Sequence, residues 1–381
     1  MKIIFIKNNF LVLCVALIVV FTSYTTQADE TSGYLSVTGP CNLEFPKDHG
    51  AHPGYRTEWW YYTGNLRSES GHFYGFQLTF FRRQITPLGT EEKWPHPKSA
   101  WRTHQIYLAH AAVTDIAGKR HLQDEGIARS ALGIAGVTQH KEITRIFLKN
   151  WMARISPSAH RLLVTANTFS YDLILKPEKP PVMHGRHGYS LKGSTPDRAS
   201  CYYSFTRLEA IGSISVEGKT MKVKGLAWMD HEFSTAPLEP GLVGWDWFGL
   251  QLSDGSEIMA YMLRKKDGSI SQASEGSFID RSGRSRRLHK EDINISVVDT
   301  WESSRSNTRY PARWRMRVLP LSIDLIITPN LLDQEMRTAE STGITYWEGS
   351  VDVNGTAEGR VIEGKGYVEL TGYARPFDAP L

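Results

Sequence analysis

The sequence predicts an all-β protein built as two tandem antiparallel β-barrels that arose by internal duplication. Apolar residues alternate with a period of two, turn signals interrupt the runs at short intervals, and one half of the chain matches the other at both of its ends. The alternation is clearest from Phe169 to Lys176, where Phe169, Tyr171, Leu173 and Leu175 share one face. Asp254-Gly255 and Asn354-Gly355 lie between apolar stretches and predict hairpins. No apolar period of 3.6 persists, so helices should be few and short. With 11 Trp, 16 Tyr and 15 Phe, the interior should be rich in aromatic rings.

The first element, residues 1–28, reads as a signal peptide. Lys2 and Lys7 precede a nearly unbroken apolar run from Phe10 to Thr22, which is shorter than the roughly 20 residues that span a bilayer. Thr26-Gln27-Ala28 offers small residues at the positions read by a signal peptidase. Cleavage after Ala28 would yield an exported chain, periplasmic or secreted, with no stable transmembrane anchor. A lipoprotein reading at Cys14 fails on the bulk of Leu13 and on the burial of Cys14 in the apolar run.

The mature chain carries 42 basic and 40 acidic residues, which gives no basic footprint for nucleic acid. Its one cationic stretch, Arg281 to Arg287, lacks interleaved aromatics and reads as a solvated hairpin loop. Cys41 and Cys201 can pair in an oxidising compartment, although two cysteines are too few for a disulfide framework.

The first barrel is expected over residues 29–236 and the second over 237–381, joined near Ser234 to Gly244 by Pro237, Pro240 and Gly241. Trp59-Trp60-Tyr61-Tyr62 opens the first copy and Trp245-Asp246-Trp247-Phe248 the second. Gly225-Leu226-Ala227-Trp228-Met229-Asp230 closes the first as Gly364-Lys365-Gly366-Tyr367-Val368-Glu369 closes the second. In a barrel the first and last strands pair, which suits aromatics at both ends. Two proline-rich stretches, Thr86 to Ser99 and Pro177 to Pro196, read as long loops.

In the closing strand of the first copy, alternation puts Ala227, Met229 and His231 on the inner face and turns Trp228, Asp230 and Glu232 outward. The second copy has Leu370 where the first has His231, so leucine is compatible with packing there. His231 is the leading candidate for proton transfer, and a structural imidazole bonded to a tyrosine or a carbonyl is the other reading. Asp230 is expected to orient neighbours or to pair with Lys222 or Lys224. Glu58 precedes a strand that is aromatic on both faces, so that strand should lie between the barrel interior and the neighbouring domain. Its carboxylate either acts as an acid with a raised pKa or pairs with Arg56 or Arg82. His231, Glu232, His184 and His187 have no metal-ligand spacing, and no metal is expected. Neither a Gly-x-Ser-x-Gly elbow nor a nucleotide-binding glycine loop is present, and no cofactor is implied.

His52-Pro53, Glu58 to Leu66, Gly75 to Arg82 and Ala109-His110-Ala111-Ala112 resemble the AttH family of secreted lipocalin-like proteins, which is related to carotenoid 1,2-hydratase (CrtC). So do Trp228 to Phe233, Gly244 to Phe248 and Tyr346-Trp347-Glu348-Gly349. The resemblance implies two lipocalin-like barrels and acid chemistry mapped on Asp230 and His231, with Glu58 as a further catalytic candidate. Family relatives protonate a terminal alkene, carry apolar molecules, or are labelled hydrolases. The expectation is an exported protein that binds an apolar lipid or isoprenoid-type ligand, with hydratase or hydrolase-like acid-base activity. A non-catalytic lipid carrier or chaperone beside an envelope ABC transporter is the alternative. Trp59, Tyr61, Trp228, Trp245, Trp247 and His110 are the candidates to line the ligand.

Overall fold

The computed structural model describes residues 33–97 and 99–377, so the expected signal peptide lies outside the described residues. Among them, helix is limited to four 3-10 turns, the longest being Thr90–Lys93, and none is long and apolar enough to cross a membrane. Strands dominate because the alternating pattern lets each one bury one face. In the strand Phe169–Pro177, for instance, Phe169, Tyr171, Leu173 and Leu175 are buried, while their neighbours are partly or fully exposed.

Two antiparallel sheets result. The first begins with a meander of β1 (Thr57–Ser68), β2 (Phe73–Gln84), β3 (Gln105–Asp115) and β4 (Arg120–Arg129). It continues through β5 (Ala135–His140), β6 (Ile143–Leu148), β7 (Trp151–Ile155), β8 (His160–Thr165) and β9 (Phe169–Pro177). The short β10 (Val182–Met183) and β11 (Tyr189–Leu191) follow, and then the long β12 (Ala199–Val216) and β13 (Lys219–Ser234). The order across the sheet is β4-β3-β2-β1-β13-β12-β9-β8-β7-β6-β5, so the first and last strands pair as expected. The sheet curls until β3 and β4 meet β6, which makes a nearly closed barrel.

The second sheet repeats this plan. Its meander is β14 (Leu242–Leu252), β15 (Glu257–Lys265), β16 (Glu275–Ile279) and β17 (Ser285–His289). After it come β18 (Ile293–Glu302), β19 (Arg309–Val318), β20 (Ile323–Pro329), β21 (Glu335–Thr338), β22 (Ile344–Ala357) and β23 (Arg360–Thr371). The order is β17-β16-β15-β14-β23-β22-β20-β19-β18, with β21 on β22, and the sheet forms a half-barrel. The registers coincide as well. Trp59 faces Phe81 and Glu232, as Trp245 faces Leu263 and Thr371. Trp228 faces Thr63, as Tyr367 faces Gly249, so the opening and closing strands of the two copies pair in the same register.

Both faces of β1 are buried. Trp60 and Tyr62 point into the first barrel with Phe76, Phe80 and Met229, whereas Tyr61 and Trp228 pack against Trp247, Tyr261 and Tyr367 of the second sheet. Polar bonds stitch this seam. Gln251 Nε2 donates to the carbonyls of Thr206 (2.8 Å) and Ala227 (2.9 Å), and Asn65 Nδ2 donates to Gly366 (3.1 Å). Glu257, fully buried, accepts from Lys179 Nζ at 2.7 Å and Arg207 Nε at 2.5 Å. Cys41 and Cys201 form a disulfide that ties the N-terminal segment to β12.

Two sequence expectations change. Asn354-Gly355 is not a hairpin but lies inside β22, where Gly355 is needed for close approach, since a Cβ there would meet the Asp324 carbonyl oxygen at 2.0 Å. The hairpin turns instead at Glu358-Gly359. The stretch from Pro177 to Pro196 is not a plain loop, because β10 and β11 both pair with β12. Asp254-Gly255 does form its hairpin, between β14 and β15.

Candidate active site

The outward faces of β13 and β23 carry acids at equivalent places, Asp230 and Glu369, and docking the two sheets buries Asp230 and half-buries Glu369 beside Glu348 of β22. Asp230 Oδ1 accepts from Trp228 Nε1 at 2.6 Å and from the Ser204 hydroxyl. Its Oδ2 accepts from the Tyr202 hydroxyl at 2.8 Å, which in turn accepts from Trp247 Nε1 at 3.1 Å. Ser204 also meets His184 Nε2 at 2.7 Å, and His184 Nδ1 meets Ser277 of the second sheet at 2.9 Å. Burial outweighs the three donors and pushes the Asp230 carboxyl up to about 7.

Glu369 accepts from Trp245 Nε1 at 3.1 Å and Thr371 at 2.8 Å, and burial raises it too to about 7. Glu348 Oε1 accepts from Tyr61 at 2.7 Å, while its buried Oε2 meets no donor. Burial, reinforced by the charge of Glu369, holds Glu348 well above the usual carboxylate range. Three carboxyl groups in one aromatic seam cannot all ionise, so near neutrality the seam holds both a proton donor and a proton acceptor. The half-buried Trp59, Trp245, Glu369 and Lys192 form its rim, with Lys192 Nζ 3.0 Å from Glu232.

Glu58 and His231 lie on the other face, inside the mouth of the first barrel. Glu58 Oε1 accepts from His231 Nε2 (2.8 Å) and His52 Nδ1 (2.7 Å), and Oε2 accepts from Arg82 Nε (2.6 Å) and the His52 amide (2.9 Å). His231 stacks on Trp60, with Nδ1 3.0 Å from the Tyr203 hydroxyl, which lies 2.7 Å from His49 Nδ1. Burial lowers the His231 pKa. The Arg82 guanidinium, aided by the two histidine bonds, overcomes burial and keeps Glu58 well below the usual carboxylate range. Of the two readings of Glu58, pairing with Arg82 is the one the structure shows, and an acid with a raised pKa is not.

His52, Glu58 and His231 also bring together the donors of a small metal site. They do not fit one, because the buried Arg82 guanidinium already neutralises Glu58 and would face the ion. The quartet His231, Glu232, His184 and His187 is not assembled among these contacts.

Five of the six aromatic or histidine ligand candidates, Trp59, Tyr61, Trp228, Trp245 and Trp247, converge on the seam. His110 lies further along the same interface, bonded to Tyr346 (2.9 Å) and Ser341 (3.0 Å). Asp230 does not pair with Lys222 or Lys224, which point to solvent from the far end of β13. Tyr202, Ser204, Glu348 and Glu369 were not singled out as site residues, and His184 was weighed only as a metal ligand. The signal available was Glu369 itself, the acid that closes the second copy as Asp230 closes the first.

The paired sheets and the acid-bearing seam between them define a double lipocalin-like protein. The chain belongs to the AttH-like family, whose model matches residues 36–373. It is similar to an AttH-type protein from Nitrosomonas europaea, with 34% identity and a TM-score of 0.78 over 89% of this chain and 99% of that one. Kievitone hydratase from Nectria haematococca shares the fold at 14% identity, with a TM-score of 0.66 and coverage of 91% and 97%. CghA, crystallised with Sch210972, shares it at 12% identity, with a TM-score of 0.52 and coverage of 84% and 89%. No curated protein matches the sequence.

Proposed function

We propose that the protein is an acid-base enzyme of the hydratase type, acting on an apolar, isoprenoid-like alkene at the seam between the sheets. The observation that carries this reading is the trio Asp230, Glu348 and Glu369, with two of its members at about 7. Protonated Asp230 gives its proton to one alkene carbon, and the π electrons form the new C–H bond. The cation left on the other carbon faces the rings of Trp228, Trp247 and Tyr61, which stabilise it through their π faces. Water adds to that carbon while a seam carboxylate takes its proton, so the net change is one C–H and one C–O bond gained. Tyr202 and Trp228 hold the Asp230 carboxyl in place. Kievitone hydratase has the same fold, which agrees with this reading.

The test is incubation of the purified protein with polyisoprenoid alkenes in ¹⁸O-water, with products read by mass spectrometry. Asp230→Asn should lower ¹⁸O incorporation by about a hundredfold or more. Incorporation that survives both Asp230→Asn and Glu348→Gln would sink the proposal, and unaltered alkene retained by the protein would make it a carrier. Export belongs to the same reading and is supported by the Cys41–Cys201 disulfide, since such bonds persist in oxidising compartments. Fractionation of the host should find a chain beginning at Asp29 outside the cytosol, and a full-length cytosolic chain would contradict it.

A further inference from the structure

Beside the end of β2 and the start of β3, at the edge of the first sheet, lies a cavity of about 340 Å³ lined by Ile85, Trp94, Trp101, Arg102, Ile106 and Arg129. Its two cations are poorly matched. Arg102 lies over the Trp94 ring at 5.4 Å, and its buried Nη1 has no hydrogen-bond acceptor. Arg129 Nη1 reaches only the Trp101 carbonyl, at 3.5 Å. No ion pair is formed by either among the described residues, and the nearby Glu91 is turned to His104 at 3.7 Å. Around these charges the surface is apolar, with Trp101 56%, Leu88 60% and Ile85 44% exposed. A buried guanidinium nitrogen without an acceptor beside exposed rings calls for an anion that carries an apolar body.

The outer face of the sheet shows where that body goes. Arg129 faces Ile106, and one step along the same face Ile127, Leu108, Phe81 and Trp59 stand opposite one another across β4, β3, β2 and β1. Ile127 is exposed, and the other three are half-buried. The row is an apolar strip about 14 Å long, three strand spacings, that ends at the rim of the carboxylate seam. The cavity is near the lower limit for a whole ligand, roughly 300 Å³, and so suits a head group with a few carbons.

We infer that Arg102 and Arg129 hold the anionic head of a single-chain amphiphile whose apolar tail lies along Ile127, Leu108, Phe81 and Trp59 toward the seam. The inference rests on the proposed function for the fate of the tail but not for the head. Charge fixes the direction: a carboxylate or phosphate head is drawn to the arginines, whereas Lys192 at the seam is already paired with Glu232.

Binding of dodecanoate, dodecyl phosphate and dodecanol by calorimetry tests the head site. Wild type should bind the two anions at least tenfold more tightly than the alcohol, and the double variant Arg102→Gln with Arg129→Gln should lose that preference while keeping its thermal transition. Trp101→Ala should weaken all three alike. Anion and alcohol binding equally, or a preference retained by the double variant, overturns the proposal. So does arginine-dependent binding confined to phosphatidylglycerol vesicles, which would make the patch a membrane contact. Both head groups binding supports the site, and the tighter one identifies the head. The tail is tested with a dodecanoate carrying a diazirine at its methyl end. Cross-links at Phe81 or Trp59 are expected, and cross-links confined to the segment from Leu88 to Arg102 overturn the path. Asp230→Asn should leave every binding result unchanged, so failure of the hydratase reading and failure of this site give different results.

Discussion

The two copies of the repeat differ most where their meanders begin. On the inner face, the first has Glu58, Arg82 and His231 where the second has Gly244, Arg264 and Leu370. The arginine is kept, but its carboxylate partner has moved from Glu58, fully buried, to Asp246, whose side chain keeps 13% exposure. On the outer face the copies agree, with Asp230 answering Glu369 and Trp59 answering Trp245. The inner face thus diverged to hold the N-terminal segment, whose His49 and His52 bond into the first barrel. The acid seam is the feature that both copies build.

The largest expected effect follows from that inner-face difference. Glu58→Leu strands the buried Arg82 and should cost about 3 to 5 kcal/mol, measured by urea unfolding at neutral pH. Asp246→Leu, at the corresponding arginine but partly solvated, should cost clearly less. Equal losses would mean that the two arginines do the same work and that the proposed divergence is not real.

The seam predicts an effect of opposite sign. Asp230 and Glu369 have folded pKa values of about 7, above their unfolded values, so the folded state binds the extra protons. Their contribution to stability is complete below about pH 4 and is lost as pH rises through 7. At pH 8, Asp230→Asn should therefore stabilise the protein, by an order of 2 to 4 kcal/mol, and near pH 4 the gain should vanish. Glu369→Gln should behave alike. A variant no more stable than wild type at pH 8 would mean that burial does not raise the Asp230 pKa, which removes the proton donor from the proposed chemistry.

Much of this was legible in the sequence because it is local. Alternation fixed which side chains of β13 face inward, and the match between the closing strands singled out His231 against Leu370. The seam was harder to read, since it depends on how one sheet docks on the other. Nothing within β22 says that Glu348 will meet Tyr61, nearly three hundred residues earlier. For Glu58 the sequence left two readings open, a raised pKa from burial or an arginine partner, and the structure shows the arginine. Arg82 stands opposite Glu58 across β1 and β2, and only His52 is brought to it by the folded N-terminal segment.

A smaller effect separates packing from bonding at the inner face. His231→Leu copies the second repeat but takes one of two histidine partners from Tyr203 and one donor from Glu58, so a loss of about 1 to 3 kcal/mol is expected. Because burial depresses the His231 pKa, its neutral form favours folding near neutrality, and that contribution declines as pH falls below about 6.5. The gap between wild type and the leucine variant in thermal unfolding should shrink from pH 7.5 to pH 5.5. A gap independent of pH would point to packing alone.

The smallest expected effect is one in which the copies should not differ at all. Arg161 and Asp172, on β8 and β9, form a two-bond ion pair at 2.9 and 2.7 Å, and Arg315 and Asp324 form its counterpart on β19 and β20 at 2.8 and 2.5 Å. The positions are equivalent through the registers, since Asp172 faces Ser213, which faces Lys222, and Asp324 faces Thr356, which faces Val361. Side-chain exposure is also matched, at 50% and 39% in the first pair and 49% and 34% in the second. Solvent screens both, so a double-mutant cycle on each pair should return about 0.2 to 1 kcal/mol. The arginine bond lowers the pKa of each aspartate, so the coupling should be present at neutral pH and fade as the aspartates are protonated below about pH 4. Raising the salt from 0.05 to about 0.5 M should shrink both coupling energies together, as expected for exposed charges. Couplings that differ by more than about 1 kcal/mol would show that the repeats have also diverged at their solvated edges, and the contrast between an altered inner face and a retained outer face would have to be redrawn.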